Sequence, residues 1–87
     1  HRRVYNQMRY FKRKGLSIPI SNKSENYLPG DIVAWDLGGG LTHIGVVIDR
    51  ISNYSGRNLI VHNIGSGQVA EDILFSNKII GHYRFKE

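Results

Sequence analysis

The sequence predicts an α+β domain in which one N-terminal helix precedes a small antiparallel β-sheet of four to five strands. Three observations carry that expectation. The first 14 residues space their apolar side chains at a helical period, whereas every later apolar run is short and rich in β-branched residues. Gaps bearing glycine, asparagine and serine, most of them short, separate those runs. Strands joined by gaps this short pair antiparallel, because a parallel pair needs a crossover of about a dozen residues.

HRRVYNQMRYFKRKG opens the chain and predicts a helix over about 2–14. Val4, Met8 and Phe11 follow i, i+4, i+7 spacing and form one stripe, with Tyr5 at its edge and most of the basic residues opposite. Gly15 suits a C-terminal stop, and Lys12, Arg13 and Lys14 suit the negative end of the helix dipole. Pro19 disfavours helix at Ile18. Ser17 to Leu28 is polar and aperiodic, hence a loop. After the turn signal Pro29-Gly30, strands are expected at about 31–37, 43–49, 59–64 and 79–85. Gly38-Gly39-Gly40 turns the chain between the first two, with φ > 0 at one or more positions. Asp49 to Asn58 is read as a hairpin connection, and Gly65-Ser66-Gly67 as another turn. Val69 to Phe75 fits a short strand and a single helical turn equally well. In the closing strand, Tyr83 and Phe85 fall on one side.

At 87 residues the chain has room for one domain, or it is the C-terminal part of a larger catalytic domain. A domain this small buries only about 60–65% of its unfolded surface. The absence of cysteine removes disulfides, thiolate metal sites and a cysteine nucleophile from within the chain. No run approaches the ~18 apolar residues of a membrane span. The abrupt start on HRRVYNQ, without an initiator Met or signal peptide, leads us to expect a processed or trimmed piece of a longer protein. Of the 12 Lys and Arg, Arg2, Arg3, Arg9, Lys12, Arg13 and Lys14 sit in the first segment with no acid, so the net +5 belongs to the helix. A solvated helix face explains this, and so does a surface for an anionic polymer.

The chemistry centres on two histidines. In HIGVVID, His43, Gly45 and Val47 share one strand face; in LIVHNI, Ile60, His62 and Ile64 do. Paired as a hairpin, the two runs permit a hydrogen bond from His43 to His62 or to Asn63. A histidine base needs such a second polar group to hold its ring and tautomer. Gly45 leaves room on the same face for another element to approach closely.

PGDIVAWDLGGGLTHIGVVID followed by LIVHNIGSG resembles the core of NlpC-type cell-wall cysteine peptidases, of the papain-like superfamily. The matching pieces are Pro29-Gly30-Asp31, His43-Ile44-Gly45-Val46-Val47-Ile48 and Ile60-Val61-His62. The wording is closer still to a bacterial group, the domain-of-unknown-function 1287 family, through HRRV, GDIVAWDLGGGLTHIG, IVHNIG and EDILF…KIIGHYRF. This resemblance implies the sheet half of a papain-like domain, with His43 as general base and His62 as orienting residue, a task Asn63 could share. The nucleophile it implies is a cysteine at a helix N-terminus, which would precede His1. It further implies amide-bond hydrolysis of peptidoglycan peptides in the periplasm or outside the cell. No cofactor follows from it. The alternative is a non-catalytic module binding an anionic wall polymer or a protein partner, motivated by the missing cysteine and the basic helix.

Other residues admit plainer readings beside functional ones. Trp35 could wall a substrate groove or be a core aromatic; Asp36 could bind a substrate amine or cap a turn. Thr42 precedes His43 and could contact substrate. A metal site from His43, His62 and Asp36 has no short ligand spacing behind it, so no metal is expected. The GSG at Ser66 lacks the rest of a nucleophile elbow. Tyr5, Tyr10 and Phe11 among arginines could suggest a nucleic-acid surface, but Val4, Met8 and Phe11 are better used as a buried stripe, and no RNA-binding signature occurs on the strands. His82 is expected to be structural, and His1 has no assigned role. If a helix is missing from the fold, one sheet face should expose an apolar patch, to be covered by a companion chain or by self-association.

Overall fold

The computed structural model describes residues 2–86; His1 lies outside the described residues. Helix α1 (Arg2–Arg13) is followed by strands β1 (Ile32–Gly38), β2 (Leu41–Ile51), β3 (Asn58–Asn63), β4 (Gln68–Glu71) and β5 (Lys78–Tyr83). They form one five-stranded sheet in the order β4-β3-β2-β1-β5, with every neighbouring pair antiparallel. The domain is α+β, as the sequence predicts.

Four local features depart from the sequence expectations. β2 runs from Leu41 to Ile51, because the β1–β2 turn is made by Gly39 and Gly40 alone (φ 61° and 79°) while Gly38 stays in the strand. Two central residues at positive φ give the turn whose twist suits a hairpin. Leu37 is the extra residue of a bulge, since Asp36 pairs with Thr42 and Gly38 with Leu41. The ambiguous segment resolves into strand β4 at 68–71, followed by a turn in which Ser76 N–H donates to Ile73 O at 3.0 Å. β5 ends at Tyr83, so Phe85 lies beyond the sheet. There the segment 16–18 takes over the outer edge of β5: Ile18 N–H donates to His82 O and Arg84 N–H to Leu16 O.

The sheet carries a core on each face. Val33, Trp35, Val47 and Ile60 point to one face, where Tyr27 and Leu74 from the loops close over them. Ile32 and Tyr83 point to the other, where Leu16, Met8 and Phe11 cover them. Of the stripe predicted on α1, Met8 and Phe11 pack against this core, each partly buried; Phe11 packs its ring 5.1 Å from that of Tyr83.

A buried polar cluster anchors the start of β1. Asp31 and His82 are each 1% exposed. Asp31 Oδ2 lies 2.6 Å from His82 Nε2, and Arg84 donates to both carboxylate oxygens at 2.9 Å. Leu28 N–H adds a further bond at 2.9 Å. Tyr27 stacks on His82 with ring centroids 4.2 Å apart. Burial alone would raise the Asp31 carboxyl, but the hydrogen bonds from Arg84, His82 and Leu28, with the guanidinium charge, hold it below its ordinary 3.8. The Asp of the Pro-Gly-Asp element is thus a structural anchor, and His82 belongs to the same cluster.

Candidate active site

The register of the central strands decides which polar groups meet. Gly45 pairs with His62 and Val47 with Ile60, so His43 and His62 are diagonal neighbours on the loop-covered face. Their rings stand nearly perpendicular, 85° with centroids 4.9 Å apart, and His43 Nε2 lies 2.7 Å from His62 Nδ1. Of the two partners that the sequence spacing permits for His43, the one in contact is His62.

A third group continues the line. His62 pairs with Val69 and Ile60 with Glu71, which places Glu71 diagonally next to His62 on the same face. His62 Nε2 lies 2.7 Å from Glu71 Oε1. The result is a polar diagonal, His43–His62–Glu71, across β2, β3 and β4. His62 is buried at 8% exposure, His43 is half-buried, and Glu71 is open to solvent.

Beneath His43 the site is apolar. Trp35 is directly opposite His43 in the β1–β2 register, with ring centroids 6.0 Å apart. Its indole N–H donates to Leu74 O at 2.9 Å, which fixes the ring in the core. Gly45 is the reason the indole fits. A Cβ there would stand 3.2 Å from Trp35 Cη2 and 2.6 Å from Ile60 Cγ2. The close approach inferred for Gly45 is therefore made by two side chains of the domain's own core. Burial against this floor, and then the charge of His62, lowers the His43 pKa from its ordinary 6.5. His43 is accordingly a neutral imidazole at neutral pH, with Nδ1 making no hydrogen bond to the described residues. A neutral, oriented imidazole with one unengaged nitrogen is what a general base requires.

The other candidates lie elsewhere. Trp35 is 1% exposed, so it floors the site and does not wall a groove. Asp36 Oδ1 accepts from Gly38 N–H at 2.8 Å, the turn-capping role, and strand alternation puts it on the face opposite His43. Thr42, its cross-strand partner, shares that opposite face. Asn63 is exposed and paired with Gln68, again on the opposite face. It is not in position to share the orienting task, because adjacent residues of a strand point apart. Glu71 is the group that sequence reading missed: EDILF has no period that fixes its direction, and only the β3–β4 register does. No three or more His, Cys, Asp or Glu side chains among the described residues are arranged so that they could hold a metal ion, the diagonal of His43, His62 and Glu71 included. No helix among them is long and apolar enough to cross a membrane.

Comparison with known proteins places the chain in context. It matches the family described as "Domain of unknown function (DUF1287)" over residues 1–85. It is 46% identical over 85 residues to an Escherichia coli (strain K12) protein described as "Uncharacterized protein YijF". That match covers 98% of this chain and 41% of the relative, so the chain spans well under half of that protein's length. No solved structure matches it.

Proposed function

This chain belongs to the DUF1287 family, and from that premise and the paired imidazoles we propose that it is the base-bearing part of an NlpC-type, papain-like hydrolase of peptidoglycan amide bonds. The observation that carries the reading is the 2.7 Å contact between His43 Nε2 and His62 Nδ1, on a half-buried imidazole held neutral. A cysteine outside these 87 residues supplies the nucleophile. His43 takes the thiol proton, the thiolate attacks the amide carbon, and His43 returns the proton to the departing amine. Water, deprotonated by His43, then cleaves the thioester and restores the thiol. His62 is the positioning residue that holds the ring for these transfers. On this reading the intact protein works in the periplasm or outside the cell, where its polymer is. The test is to incubate the intact parent protein with purified muropeptides. Cleavage lost in His43→Ala is the expected result; no cleavage, or cleavage indifferent to His43→Ala, rejects the reading.

One observation favours a second reading. The outer side of α1 is basic: Arg9, Lys12 and Arg13, all exposed, surround a shallow depression with Asn6. A non-catalytic module would hold an anionic wall polymer there. Polymer binding without cleavage, lost when Arg9 and Arg13 are reversed to Glu, supports this reading over the first.

A further inference from the structure

We propose that Glu71 is a positioning residue that fixes the tautomers of both histidines and so makes Nδ1 of His43 the proton acceptor. A carboxylate only accepts hydrogen bonds, and a neutral imidazole has one N–H to give. The 2.7 Å contact between Glu71 Oε1 and His62 Nε2 therefore puts the His62 proton on Nε2. His62 Nδ1 is left with a lone pair. The 2.7 Å contact between that atom and His43 Nε2 then requires the proton to come from His43. With its proton on Nε2, His43 presents a bare Nδ1, the nitrogen with no hydrogen bond to the described residues. Without Glu71 the chain of bonds has no fixed direction. His62 could equally donate from Nδ1, His43 Nε2 would accept, and the His43 proton would sit on Nδ1, blocking the base. The carboxylate acts across two rings, from the short edge strand β4. Its side chain is 49% exposed, so its replacement leaves both cores intact.

The tautomer assignment stands on geometry alone; its consequence for catalysis rests on the hydrolase reading. The experiment is nitrogen-15 NMR of the histidine rings in the intact protein, at a pH where they are neutral. Signals are assigned by their loss in His43→Gln and His62→Gln. The expected wild-type result is both rings protonated on Nε2. Glu71→Gln keeps that pattern, since a carboxamide oxygen still accepts. Glu71→Lys places a donor at His62 Nε2 and moves both protons to Nδ1. In muropeptide cleavage, Glu71→Lys then lowers kcat by about a hundredfold or more with little change in KM, whereas Glu71→Gln keeps most of the rate. Wild-type His62 protonated on Nδ1, or tautomers unmoved by Glu71→Lys, overturns the proposal. Cleavage that is intact in Glu71→Lys also overturns it while leaving the hydrolase reading standing. The expected tautomers without any cleavage uphold Glu71 and reject the hydrolase.

Discussion

At the scale of single residues, His43 and His82 show how environment separates two histidines of one sheet. His82 is buried against a carboxylate that also holds Arg84, and the Leu28 N–H with the Pro19 and Asn26 carbonyls completes the set. His43 is half-buried over Trp35 and bonded through one nitrogen to another imidazole. Burial, ahead of the His62 charge, lowers its pKa from 6.5. The unfolded chain therefore binds a proton at His43 more readily than the folded one. The contribution to stability from this residue is full above pH 6.5 and falls as pH drops below it. Denaturant unfolding of wild type and His43→Gln across pH 5 to 8 should show it. The wild type loses more stability towards acid than the variant; parallel curves would mean that His43 titrates normally.

At the scale of elements, the β1–β2–β3 register sets the site, and Gly45 sets how closely the strands' side chains pack. Gly45→Ala forces Trp35 or Ile60 to move, because the added Cβ would meet Ile60 Cγ2 at 2.6 Å and Val61 O at 3.1 Å. Overpacking of this kind costs about 1–3 kcal/mol, read from equilibrium unfolding, and it should also shift the Trp35 fluorescence as the floor under His43 moves. A neutral Gly45→Ala would contradict the packing account. This element was largely legible in the sequence. Alternation set His43 with Gly45 in HIGVVID and Ile60 with His62 in LIVHNI; that the two pairs share one face of the sheet came from the β2–β3 register. Asn63 and Glu71 were not legible for one shared reason. Which polar neighbour reaches a histidine depends on the partner strand, and the segment holding Glu71 has no period that marks it as a strand. Trp35 and Asp36 were readable as types, but their sides of the sheet came only from the pairing.

At the scale of the whole molecule, two small cores share one five-stranded sheet, and α1 covers only part of its face. Beside the helix, Val46 is 39% exposed, and a cavity of about 260 Å³ is lined by Phe11, Ile44, Val46 and Val61 among others. The sequence led us to expect an uncovered apolar patch if a helix is missing from the fold, and an apolar patch left open favours association. Sedimentation velocity of the 87-residue chain over a range of concentrations should show reversible self-association that Val46→Lys weakens; a monomer at every concentration would contradict this. The hydrolase reading itself needs a thiol brought to Nδ1 of His43 in the intact protein. Transfer of the thiol proton turns the neutral His43 into an imidazolium, whose charge then holds the thiolate well below the thiol's ordinary pKa of about 8.5. The most direct measurement is the pH dependence of thiol alkylation in that protein, with and without His43. The account predicts rapid alkylation persisting below neutral pH in the wild type and a return to ordinary thiol titration in His43→Ala. An ordinary profile in the wild type, or one unchanged by His43→Ala, contradicts it.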